Sequence, residues 1–148
     1  MGIISLETIQ LNAPSTDKLS AIRLAGELLV KAGRVAPSYV EGMLAREQTM
    51  STYIGNGVAI PHGQFEDRAS IHESGISLVQ FPQGVAWNPD ETAYLVFGIA
   101  ASADEHIGIL TNLAEILEEP EEAERLARIS DPQELIELLS RPQEIETA

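Results

Sequence analysis

Residues Tyr94–Ala101 read Tyr-Leu-Val-Phe-Gly-Ile-Ala-Ala, an apolar run without one charged side chain. Side chains of a strand alternate between its two faces, so a strand that shows no polar alternation must be covered on both. A chain with such a strand at its centre needs a sheet around it and a helical layer on either side. The rest of the sequence supplies those parts. Gly75–Phe81 is rich in β-formers, Pro82-Gln83-Gly84 has turn chemistry and Val85–Trp87 is extended. Gly55-Asn56-Gly57 is a turn signal before a short strand, Val58–Ile60, that runs into Pro61.

Helical periods flank these strands. Ser15 or Thr16 can cap a helix to about Ala32, with Leu19, Ile22, Ala25 and Leu29 facing inward and Gly33 accepting a left-handed end. Pro37 and Ser38 open a second helix through Arg46, with Val40, Met43 and Leu44 on its apolar side. After the central strand, Ser102 or Asp104 caps a long helix carrying His106, Leu110, Leu113, Ala114 and Leu117 on one stripe. Ser102 with Glu105 fits a capping box. Pro120 and Asp131-Pro132 open two more helices. The expected fold is α/β, a mixed parallel/antiparallel sheet flanked by helices on both faces.

With 148 residues, no repeat and no linker-like stretch, one domain over 1–148 is expected. A chain of this length buries roughly 68–70% of its unfolded surface, enough for a core without staples. Cysteine is absent, which removes disulfides, zinc–thiolate sites and thiol nucleophiles together. Nine basic residues face 23 acidic ones, a formal charge of −14 that would be repelled by nucleic acid and anionic membranes. No apolar run approaches the roughly 18–20 residues of a membrane span. Met1–Gln10 lacks a basic leader region, so a cytoplasmic location is expected. The acidity concentrates in residues 115–148, with 11 acids and 3 bases. Leu126, Leu135, Ile136, Leu138 and Leu139 recur there at helical spacing, so the segment reads as surface helices with acidic outer faces.

Three histidines are available for chemistry: His62, His72 and His106. In Ala59-Ile60-Pro61-His62-Gly63, proline stiffens the approach to His62, and Gly63 leaves room for close approach to the imidazole. That context suits a nucleophile held in one tautomer; it equally suits a turn histidine beside a proline. His106 falls in the first turn of a helix, where the dipole disfavours a charged ring and attracts an anion. It reads either as a partner to His62 or as a buried histidine satisfied locally. If the strands Val58–Ile60 and Tyr94–Ala101 run parallel, both histidines lie at carboxyl ends, the ligand-binding edge of open α/β sheets. His72, among Ser70, Glu73 and Ser74, reads as a surface residue. Arg46 is either a charge suited to a helix C-terminus or a planar fork for an oxyanion or phosphoryl group. No metal-ligand i, i+4 histidine pair, G-x-S-x-G elbow, P-loop or G-x-G-x-x-G is present.

Met43-Leu44-Ala45-Arg46-Glu47 followed by Thr52–Gly63 (Thr-Tyr-Ile-Gly-Asn-Gly-Val-Ala-Ile-Pro-His-Gly) resembles enzyme IIA domains of the bacterial sugar phosphotransferase system, mannitol/fructose type. Gly75–Phe81, Gly84-Val85, Trp87, Gly98–Ala101, Asp104-Glu105-His106 and Leu110–Ala114 look most like the mannitol branch. The likeness runs from about Leu6 to Leu139, with a mild departure at Ser102-Ala103.

The resemblance implies a phosphotransferase with a phosphohistidine intermediate and no cofactor or metal. In such a carrier, His62 takes a phosphoryl group from the phosphocarrier HPr and passes it to an enzyme IIB domain of a sugar permease. His106 matches the second active-site histidine and Arg46 the arginine that holds the phosphoryl group. Two other readings predict different behaviour. A regulator of the nitrogen-related branch would bind partners according to its phosphorylation, and a hydrolase built on three histidines would carry stoichiometric metal.

Overall fold

The computed structural model describes residues 4–101, 111, 115 and 117–140. The first helix, α1 (Lys18–Lys31), starts at Asp17, whose carboxylate accepts the Ser20 N–H at 2.8 Å. The cap is therefore Asp17, not Ser15 or Thr16. Ile22, Ala25 and Leu29 are buried as expected, but Leu19 is 48% exposed. Lys18 takes the inward place one turn before Ile22, its ammonium 5.8 Å from the centre of the Trp87 ring. Gly33 follows the helix with φ +77°, the left-handed end that glycine accepts. Helix α2 (Ser38–Thr49) buries Tyr39, Val40, Gly42, Met43 and Glu47.

Among the described residues, five strands follow the order β1-β4-β5-β3-β2, where β1 is Ile9–Gln10, β2 Tyr53–Gly55, β3 Val58–Ala59, β4 Gly75–Asn88 and β5 Glu91–Ala100. The apolar run is thus the centre of the sheet. β5 pairs antiparallel with β4 and parallel with β3, and β1 joins β4 in parallel, so the sheet is mixed. Pro82-Gln83-Gly84 does not separate two strands. The ladder shifts register between Gln80 and Val85 and then resumes at Val85–Ala93, so β4 is one strand with an outward irregularity. Proline, which has no N–H to give the ladder, belongs at such a place.

Both sheet faces are covered. On one, α1 and α2 close over Val79, Phe81, Val85, Trp87, Val96 and Ala100. On the other, Leu117, α3 (Pro120–Arg128) and α4 (Pro132–Ser140) close over Val58, Ile76, Leu78, Leu95, Phe97 and Ile99 through Ala123, Leu126 and Leu135. The described residues also include two short 3₁₀ segments, Leu6–Thr8 and Phe65–Ser70.

Candidate functional site

The parallel pairing of β3 with β5 puts His62 at a carboxyl edge. Val58 stands opposite Leu95 and Ala59 opposite Val96; the same offset returns at His62, which bridges Ile99. Between them Pro61 breaks the ladder, contributing only its carbonyl, which accepts the Ile99 N–H at 3.0 Å. His62 is half-buried, and its Nδ1 lies 2.9 Å from the Ile60 carbonyl oxygen. A carbonyl can only accept, so Nδ1 carries the proton, and in the neutral ring the lone pair resides on Nε2.

Tyr39 of α2 stands behind this turn. Its hydroxyl donates to the Ile99 carbonyl at 2.8 Å and accepts the Gly63 N–H at 2.9 Å, tying the end of β5 to the residue after His62. Burial pushes the phenol up to about 12, the nearby Asp67 charge adds to this, and the Gly63 N–H opposes it. A Cβ on Gly63 would lie 2.6 Å from the Tyr39 ring. The ring's close approach therefore requires the glycine, a reason the sequence reading, which assigned the space to an incoming group, did not contain. Asp67 accepts the Gln64 N–H at 2.7 Å and so holds the next turn.

Arg46 sits in the last turn of α2 and donates from Nη1 to the Met50 carbonyl at 2.6 Å, satisfying a terminal acceptor. It also lines a cavity of about 420 Å³ together with His62, Tyr39, Arg68 and Ala101. The helix-end reading of Arg46 is met by the bond to Met50, and the same residue borders the cavity of His62. His72 is exposed and borders an adjoining cavity of about 760 Å³. His106, with its expected cap at Ser102 or Asp104, lies outside the described residues.

Tyr39 and Arg68 were not singled out from the sequence. Tyr39 lies four residues before Met43 on the inward side of α2, and a buried tyrosine hydroxyl needs a partner, which was the available signal. Arg68 is one of only nine basic residues and lies close after His62 in the chain. The cavity is thus lined by an imidazole of fixed tautomer and by two arginines, Arg46 and Arg68, the residue type suited to an oxyanion.

Residues 2–141 match the protein family described as phosphoenolpyruvate-dependent sugar phosphotransferase system, EIIA 2. A multiphosphoryl transfer protein of Haemophilus influenzae is 44% identical over 136 residues, 92% of this chain but 27% of that protein. The chain therefore spans about a quarter of that relative's length. The mannitol-specific phosphotransferase enzyme IIA component of Bacillus subtilis is 41% identical over 140 residues, covering 95% of this chain and 98% of that protein. Among solved structures, the enzyme IIA mannitol chain in its complex with phosphorylated enzyme IIB from Escherichia coli superposes with a TM-score of 0.86. It is 40% identical and covers 92% of this chain and 96% of that one.

Proposed function

The chain belongs to the EIIA 2 family of the phosphoenolpyruvate-dependent sugar phosphotransferase system, and from that premise we propose that it is a cytoplasmic phosphocarrier of mannitol uptake. It accepts a phosphoryl group from HPr on His62 and delivers it to an enzyme IIB domain. The observation that carries this reading is the bond from His62 Nδ1–H to the Ile60 carbonyl, in a cavity that Arg46 also lines. The names of the Bacillus subtilis and Escherichia coli relatives support mannitol as the sugar alcohol and IIB as the acceptor.

Nε2 of His62 attacks the phosphorus of the donor's phosphohistidine. The new N–P bond forms as the donor's N–P bond breaks, and the electron pair of that bond returns to the donor imidazole. Phosphorylated on Nε2 and protonated on Nδ1, the His62 ring carries positive charge, which the Ile60 carbonyl stabilises. The transition state is loose, with charge on three equatorial oxygens, so positioning and neutralisation dominate catalysis. The Arg46 fork supplies a planar, permanent charge to two of those oxygens, and His106 supplies a further hydrogen bond. Transfer onward reverses the sequence, with His62 as leaving group.

Incubation with phosphoenolpyruvate, enzyme I and HPr, followed by intact-mass measurement, tests this. One acid-labile, base-stable phosphoryl group per chain is expected, discharged on adding the mannitol IIB domain. A protein that stays unlabelled, or a label that IIB cannot remove, contradicts it.

A further inference from the structure

Glu47 is a carboxylate that the transfer chemistry does not use, yet it is 5% exposed and receives hydrogen bonds from three other parts of the fold. Thr52 donates its N–H to Oε1 and Oε2 at 3.2 and 3.3 Å, and its hydroxyl to Oε1 at 2.6 Å. Trp87 Nε1–H from β4 donates to Oε2 at 3.0 Å, and Lys18 Nζ from α1 to the same oxygen at 3.3 Å. A buried carboxylate is tolerated only when so surrounded. Every one of these groups donates here, and a carboxylate is the side chain that accepts on both oxygens.

The residue Glu47 grips leads to His62. The Thr52 carbonyl accepts the Ile60 N–H at 3.0 Å, and the Ile60 carbonyl in turn accepts from His62 Nδ1. Arg46, the neighbour of Glu47, leans on the Met50 carbonyl in the same short connection between α2 and β2. We propose that Glu47 is a positioning residue for phosphoryl transfer: by clamping Thr52 it fixes the Ile60 peptide that sets the His62 tautomer, and the connection that orients Arg46. The inference rests on His62 being the phosphorylated residue. Glutamine at 47 keeps the shape but has one accepting oxygen. With that oxygen towards Trp87 and Lys18, the amide N–H₂ takes the Oε1 place, so the Thr52 hydroxyl loses its acceptor and the Thr52 N–H keeps only the longer contact at 3.3 Å.

The competing role is adhesive: Glu47 joins α1, α2 and β4 and nothing more. Glu47→Gln, Thr52→Val and Lys18→Met separate the two. Lys18→Met breaks the ion pair but leaves Thr52 held. The readouts are thermal unfolding, the single-turnover rate of phosphorylation by HPr at a temperature where each variant is folded, and the ¹⁵N shifts of the unphosphorylated His62 ring. Glu47→Gln is expected to slow transfer roughly tenfold or more, as small misplacements of reacting groups do, and to reduce the Nδ1–H tautomer. Lys18→Met is expected to lose thermal stability while its rate stays within about twofold of wild type. A Glu47→Gln protein that unfolds earlier but keeps the wild-type rate and ring shifts overturns the proposal. If Glu47→Gln does not fold, Thr52→Val decides: slowed transfer with altered ring shifts supports it, and unchanged values overturn it. The ring shifts need no phosphorylation, so a wild-type chain that fails to label on His62 removes the functional reading and still leaves the tautomer test standing.

Discussion

Both faces of the sheet are packed with aliphatic and aromatic side chains, but the polar groups buried beside them serve different ends. On the α3 face, the Gln80 amide donates to the carbonyls of Leu126 and Ile129 at 3.2 and 2.8 Å and accepts the Asn12 N–H at 3.0 Å. It secures a helix end and a loop. On the α2 side, Tyr39 and Glu47 bond to the backbone before and after His62. Buried polar groups must find partners, so each one dictates geometry locally. The difference teaches that one face supplies adhesion, and the other supplies adhesion together with the placement of the His62 ring.

Four substitutions can break or sharpen that contrast. The largest effect belongs to His62→Gln, which should abolish labelling by HPr while shifting stability by no more than about 1 kcal/mol; a labelled variant would move the chemistry elsewhere. Next is Leu126→Ala on the opposite face. Leu126 is fully buried, so the loss should be about 2–5 kcal/mol by denaturant unfolding. Its transfer rate should be unchanged wherever it is folded, and a slowed rate would erase the distinction between the faces.

Tyr39→Phe comes third. It strands the Gly63 N–H and the Ile99 carbonyl, costing about 1–3 kcal/mol, and should also slow phosphorylation, since both groups flank His62. The phenol ionises near 10 in the unfolded chain and at about 12 in the folded one. Its contribution to stability is therefore complete below pH 10 and is lost as pH rises towards 12. The phenylalanine variant should lack that part of the alkaline decline in unfolding free energy. Arg46→Lys is the smallest: transfer should fall by more than about tenfold, about 1.4 kcal/mol of barrier, because an ammonium cannot engage two phosphoryl oxygens as a fork does. Stability should stay close to wild type, so a variant with the wild-type transfer rate would leave Arg46 as a helix-end charge alone.

The layer architecture was legible because a strand covered on both sides cannot hide its composition: of the run Tyr94–Ala101, the residues from Leu95 to Ala100 are buried within β5, while Tyr94 is exposed and Ala101 follows the strand. The presented histidine was legible because Pro61 constrains the backbone whatever surrounds it. Other features depend on distant partners. β1 is two residues long and exists through its pairing with β4, which no local pattern announces. Leu19 read as core by spacing alone, but Lys18 could reach both Trp87 and Glu47 and took the inward place. Glu47 entered the sequence reading only as the end of Met43–Glu47, with no role of its own. Its four donors come from residues 18, 52 and 87, and only the folded arrangement brings them to one carboxylate.

The assignment of the reacting nitrogen can be tested directly. Protein carrying ¹⁵N-labelled histidine, phosphorylated through enzyme I and HPr, should show ³¹P coupling to Nε2 of His62, with Nδ1 still protonated against the Ile60 carbonyl. Coupling to Nδ1, or to a ring nitrogen of His72 or His106, would contradict it.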